Sequence, residues 1–135
     1  MSIEAEILKS SKVVAVVGLS SDPERPSYRV ADFLRHNGYR VIPVNPKEKE
    51  IIGVTCYPNL TAIPEQLDVV DIFRRSEDVM PIVEDAIKIG AKVVWMQEGV
   101  INQAAAEKAK KVGLKVVMDK CMLKELKKLY DEERG

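Results

Sequence analysis

Between Gly18 and Tyr28 the stretch GLSSDPERPSY gathers side chains that a phosphate group would meet: hydroxyls from Ser20, Ser21 and Ser27, and the guanidinium of Arg25. Hydroxyls and loop amides donate hydrogen bonds to phosphate oxygens, and arginine can hold two of those oxygens at once. Gly18 lets the chain turn sharply off the apolar run before it, and Pro26 opens a helix whose positive end points at the same place. The same residues would also build an ordinary connecting loop with a capping serine. Residues 18–25 make a long strand-to-helix connection, which favours a phosphate site.

A second constellation follows the run YRVIPV: Asn45, Pro46 and Lys47. A site for NAD places Asp or Glu at this point to hold the ribose hydroxyls, and here no carboxylate occurs before Glu48. A neutral amide and a cation suit a phosphorylated ribose, and both NADP and coenzyme A carry one. Phe73 with Arg74, and Met96 with Gln97, hold equivalent places after the next two apolar runs. No nucleophile is paired with a base and no metal-ligand spacing occurs, so no catalytic residue is assigned. Asp71, unusual inside an apolar run, is expected to accept from a loop amide. Trp95 reads as core, and His36, the one histidine, as a solvated last-turn residue. Cys56 and Cys121 are too far apart in sequence to form a recognisable metal or disulfide framework. Cys121 follows the last strand, so a mixed disulfide with a small thiol is a candidate reaction there, with Cys56 as the second candidate.

These residues need a scaffold, and hydrophobic period supplies one. VVAVV (13–17), RVIPV (40–44), DVVDIF (68–73), AKVVWM (91–96) and LKVVMD (114–119) read as buried strands. Helical spacing runs from Pro26 to Gly38, from Glu77 to Ile89, from Asn102 to Val112 and from Met122 to Glu133. Residues 47–66 read as irregular with one helical turn near Ile63, the termini as loose ends, and Pro43 as a sign that its strand's pairing is interrupted or near an edge. The alternation predicts one α/β domain over residues 1–135, a Rossmann-like three-layer fold with a mainly parallel sheet of about five strands. In such a sheet a ligand lies beyond the carboxyl ends of the strands, where the strand order reverses, and each constellation named above falls just after a strand.

Composition narrows the partners. Lys+Arg and Asp+Glu are 21 each, so no global field draws in nucleic acid or an anionic membrane. Aromatics at 5% leave little for a base-stacking surface. No signal peptide or membrane-length apolar run is read, and a reduced cytoplasm is expected. The Lys/Glu-rich surface fits a thermophile. Leu123, Leu126, Leu129 and Tyr130 form a stripe on the last helix that would face either a protein partner or the chain's own sheet.

Several of these segments are familiar in combination: PERPSYRV (23–30), GYRVIPVNP (38–46), GVTCYPNL (53–60), DIFRR (71–75) and VMDKC (117–121). Together they resemble the small stand-alone CoA-binding proteins, which are similar to the CoA-binding domain of the succinyl-CoA synthetase α subunit. The resemblance covers about residues 8–126. It implies coenzyme A or an acyl-CoA as ligand, with Gly18, Ser20, Ser21, Arg25, Ser27 and Tyr28 around the phosphates. It places Asn45, Pro46 and Lys47 at the 3′-phosphate, and Phe73, Arg74, Met96 and Gln97 along the nucleotide and the start of the pantetheine arm. Where the synthetase loop has a second glycine, this chain has Ser20-Ser21-Asp22, so contacts to the pyrophosphate are expected to differ. The synthetase's phosphohistidine domain is not expected here, and ligase chemistry with it. The expected role is a carrier, sensor or regulatory module. The alternatives are an NADP-dependent enzyme using the same edge, or a protein-interaction module.

Overall fold

The computed structural model describes residues 1–134. The apolar, β-branched runs form β1 (Val13–Val17), β2 (Arg40–Val44), β5 (Val69–Ile72), β6 (Val93–Met96) and β7 (Lys115–Val117). These five lie in one sheet in the order β2-β1-β5-β6-β7, every neighbouring pair parallel. Strands buried on both faces need no alternation of polar residues, which is why β1, β5 and β6 read as continuous apolar runs. β2 is an edge strand, where Pro43 removes no donor that the sheet requires.

Helices cover both faces. On one face α1 (Ile3–Ser10), α2 (Pro26–His36) and α5 (Met122–Arg134) bury Leu8, Ala31, Leu34, Met122 and Leu126 against Val14, Val16, Val69 and Trp95. On the other, α3 (Val79–Lys88) and α4 (Gln103–Lys111) bury Val79, Val83, Ala105 and Ala109 against Ala15, Val70, Ile72 and Val94. Two dry interfaces on either side of one sheet make the three-layer fold.

The structure corrects two expectations and decides one alternative. The N-terminus is the helix α1, capped by Ser2 and held down by the Tyr39 hydroxyl, which donates to the Leu8 carbonyl, and by a 2.8 Å ion pair between Lys120 and Glu4. Residues 47–66 contain a hairpin, β3 (Glu50–Ile51) with β4 (Val54–Thr55), turning through left-handed Ile52 and Gly53. The α5 stripe is used internally, with Leu126 and Leu129 buried in the protein's own core. Among the described residues no helix is long and apolar enough to cross a membrane.

Candidate functional site

After β1 the chain runs to β2 on one side; β5 lies on the other, so the strand order reverses between β1 and β5, the point at whose carboxyl edge sheets of this kind hold ligands. Gly18 makes that edge close-packed. Its φ is +86°, and a Cβ there would sit 2.2 Å from the Phe73 carbonyl oxygen and 3.2 Å from Arg74 Cδ. No side chain fits in that space. The close approach brings the Arg74 stem beside the start of the first loop.

The first loop is braced from within. Leu19 is fully buried, and the Asn45 side-chain amide donates to its carbonyl at 3.0 Å. The Ser20 amide donates to Ser27 Oγ, and Ser20 Oγ accepts from the Asp22 amide, each at 3.0 Å. Ser27 is buried, so its oxygen holds the loop's shape and is not an open phosphate donor. Ser21 is exposed and donates to Glu48 across the gap to the segment after β2. Arg25 stands at the N-cap of α2 with no side-chain cap bond, and Pro26 follows it. The first turn of α2 thus lacks a side-chain acceptor at the end that bears positive potential, beside an exposed guanidinium. Tyr28 is half-buried against the core beneath α2.

At the end of β2, Asn45 is a brace as well. Its Oδ1 accepts from the Lys47 amide at 2.9 Å and its backbone amide donates to the Tyr57 carbonyl. Pro46 and the Lys47 side chain are exposed at the rim. Cys56 lies beneath, its Sγ 3.5 Å from the Asn45 carbonyl, and burial pushes its thiol up from the usual range.

The ends of β5 and β6 depart most from expectation. Phe73 is half-buried and Arg74 exposed. Met96 is fully buried in the core under α3 and α4, so it does not line the edge; strand alternation sends its side chain to that face. Gln97, one residue on, is also buried, and its Nε2 donates to Asp71 Oδ1 at 2.7 Å. The partner of Asp71 is therefore a side-chain amide and not a loop amide. Asp71 Oδ2 is buried without any partner. Burial drives the Asp71 carboxyl up to about 7, against the opposing effect of the Gln97 bond. The signal for this pair was the carboxylate in an apolar strand, which demands a donor nearby.

Cys121 precedes α5 and is half-buried. Burial raises its thiol first, with the charges of Glu98 and Asp71 adding to the rise, while the Leu123 and Lys124 amides pull the other way. Lys124 closes over this corner through a 2.9 Å ion pair with Glu98. The Trp95 indole donates to the Lys120 carbonyl, tying β6 to the same corner from within the core.

A CoA binding domain matches residues 12–127, which is nearly the whole chain and includes every loop of the carboxyl edge. The chain belongs to the CoA-binding domain family. Among its relatives, the Bacillus subtilis (strain 168) protein YneT is 41% identical over 117 residues, covering 87% of each chain. The Archaeoglobus fulgidus ADP-forming acetate–CoA ligase I is 31% identical over 121 residues, and the match spans 82% of this chain but 18% of the ligase. A solved Pyrococcus horikoshii OT3 protein superposes with a TM-score of 0.92 at 44% identity, over 94% of this chain and 89% of its own. The acetyl-coenzyme A synthetase 1 of Ca. Korarchaeum cryptofilum superposes at 0.73 with 27% identity, covering 84% of this chain and 27% of the synthetase. Within the family, then, this protein resembles both a stand-alone relative of its own length and one portion of much longer ligases.

Proposed function

We propose that the protein binds coenzyme A, free or acylated, along the carboxyl edge of its sheet, and serves as a carrier, sensor or regulatory module with no catalysis of its own. The observation that carries the reading is the CoA-binding domain match across residues 12–127, laid over an edge whose exposed side chains include Arg25, Lys47 and Arg74. In this reading the first turn of α2, Ser21 and Arg25 receive the pyrophosphate, at a helix end whose first amides have no side-chain acceptor. Lys47 meets the 3′-phosphate at the rim, and Arg74 with Phe73 borders the nucleotide. Ser20, Ser27 and Asn45 hold the loops in shape and touch the ligand through backbone groups alone.

NADP, with its phosphorylated ribose, is the competing ligand for the same carboxylate-free end of β2. Calorimetric titration with CoA, dephospho-CoA, NADP and NAD separates them. CoA is expected to bind most tightly, with dephospho-CoA weaker by roughly 1.5–3 kcal/mol, the range of a hydrogen bond to a charged group. Lys47→Ala should erase the difference between CoA and dephospho-CoA. Equal affinity of the native protein for those two ligands would remove the role of Lys47, and tighter binding of NADP would overturn the reading.

A further inference from the structure

We propose that Asp71 couples ligand binding at the carboxyl edge to the uptake of a proton, acting on the site through Gln97. The proposal rests on the CoA reading for its ligand and on the structure for its residue. Asp71 lies between Val16 of β1 and Trp95 of β6, on the face of the sheet covered by α1, α2 and α5. It is fully buried, with one oxygen bonded to Gln97 and the other to nothing. A carboxylate in that position is costly, because neither desolvated oxygen faces a compensating charge.

Its strand partners are the apolar Val16 and Trp95, and the layer on that face of the sheet is an apolar cluster that includes Leu19, Val30, Ala31 and Leu34. From the start of α5 comes the Cys121 thiol, whose ionisation the Asp71 charge opposes. Of the charged residues at this end, Glu4 of α1 pairs with Lys120 and Glu98 after β6 with Lys124, while Arg25, Lys47 and Arg74 are exposed to solvent. The Asp71 carboxyl accordingly titrates near neutrality, at about 7.

A ligand carrying phosphates adds negative charge over the same edge and displaces water from it. Both effects disfavour the ionised carboxyl beneath. Ligand binding then takes up a proton at Asp71, and rising pH weakens binding. Gln97 is the link, since one amide joins Asp71 to the end of β6.

Titration calorimetry of the full chain with CoA at pH 7.5, in two buffers of different ionisation enthalpy, counts the protons exchanged. A one-unit rise in the Asp71 pKa centred on that pH corresponds to about half a proton taken up, and to about a tenfold loss of affinity from below to above the titration. Asp71→Asn keeps an oxygen for Gln97 and lacks the titration, so it subtracts the ligand phosphate's own protons. Native protein taking up about half a proton more than the variant is the expected result; equal counts overturn the coupling. If the variant fails to fold, the 13C carboxyl resonance of Asp71 in native protein decides: its pKa should rise on adding CoA, and an unchanged value overturns the proposal. A complete absence of binding heat in folded native protein instead sinks the CoA reading, and the coupling with it.

Discussion

Two aspartates three residues apart show how the two edges of this sheet differ. Asp68, at the amino edge just before β5, accepts from the Lys12 and Val13 amides at 2.8 and 2.9 Å and pairs with Lys92 at 3.4 Å. Burial pushes its carboxyl up, but the two amides and the lysine outweigh burial and hold it below the ordinary range. Asp71, inside the same strand toward the carboxyl edge, has one donor and an orphaned oxygen, and its carboxyl goes the other way. At the amino edge the carboxylate is satisfied and contributes stability; toward the carboxyl edge one carboxylate oxygen is left without a donor. A cavity of about 590 Å³ lies at the amino edge among Ser11, Asp68, Lys92 and Gly113, where the aspartate is already satisfied.

The largest effect expected from testing this contrast is at glycine. Gly18 and Gly113 share left-handed backbone, at +86° and +92°, but a Cβ at Gly113 meets nothing within 4 Å. Gly113→Ala should lose about 1 kcal/mol from backbone strain alone. Gly18→Val should lose about 4 kcal/mol, because the Phe73 carbonyl must also move, and CoA binding should weaken as the ends of β1 and β5 are pushed apart. Thermal unfolding of both variants checks this, and equal losses would mean that the β1–β5 approach is looser than the structure shows.

The aspartates should respond with opposite signs. Asp68→Ala strands two amides and should destabilise by about 2 kcal/mol at neutral pH. Its stabilising contribution is present above the ordinary carboxyl range and fades as pH falls through and below it. Asp71 runs in reverse. Its folded pKa of about 7 lies above the unfolded value, so it lowers stability progressively as pH rises from the ordinary carboxyl range to about 7, after which the loss is complete. Asp71→Asn should therefore be more stable than the native protein at pH 8, by on the order of 2 kcal/mol, and should flatten the pH dependence below it. Urea unfolding at pH 5 and pH 8 measures both.

The smallest effect concerns the thiols. Both are pushed toward the protonated form, so exchange with CoA disulfide should be slow. Cys121 is the more accessible of the two, and we propose it as the site. Intact-mass analysis of the folded protein should show a dithiothreitol-reversible adduct that Cys121→Ser abolishes and Cys56→Ser does not. Modification only after unfolding would make both thiols core residues and end the idea.

Much of the scaffold was legible because burial imposes a local period. The five strands, the four helices that follow them and the edge position of β2 could be read from apolar runs, terminal glycines and Pro43. The carboxyl edge was legible as a candidate site because its polar residues fall just after the strands. α1 was not, since a helix of eight residues is held by burying Ile7 and Leu8 in the core and by Tyr39 and Lys120, all settled by groups distant in sequence.

By itself the sequence determined the layered α/β fold and the family, because each follows from residue type and near-neighbour spacing. Only the tertiary structure decided that Ser27 and Asn45 brace the loops, that Met96 faces the core, and that Gln97 meets Asp71 across 26 residues of chain. Those outcomes depend on which groups a parallel sheet brings side by side, and on whether a buried polar atom finds a donor there. Neither is encoded within any one segment.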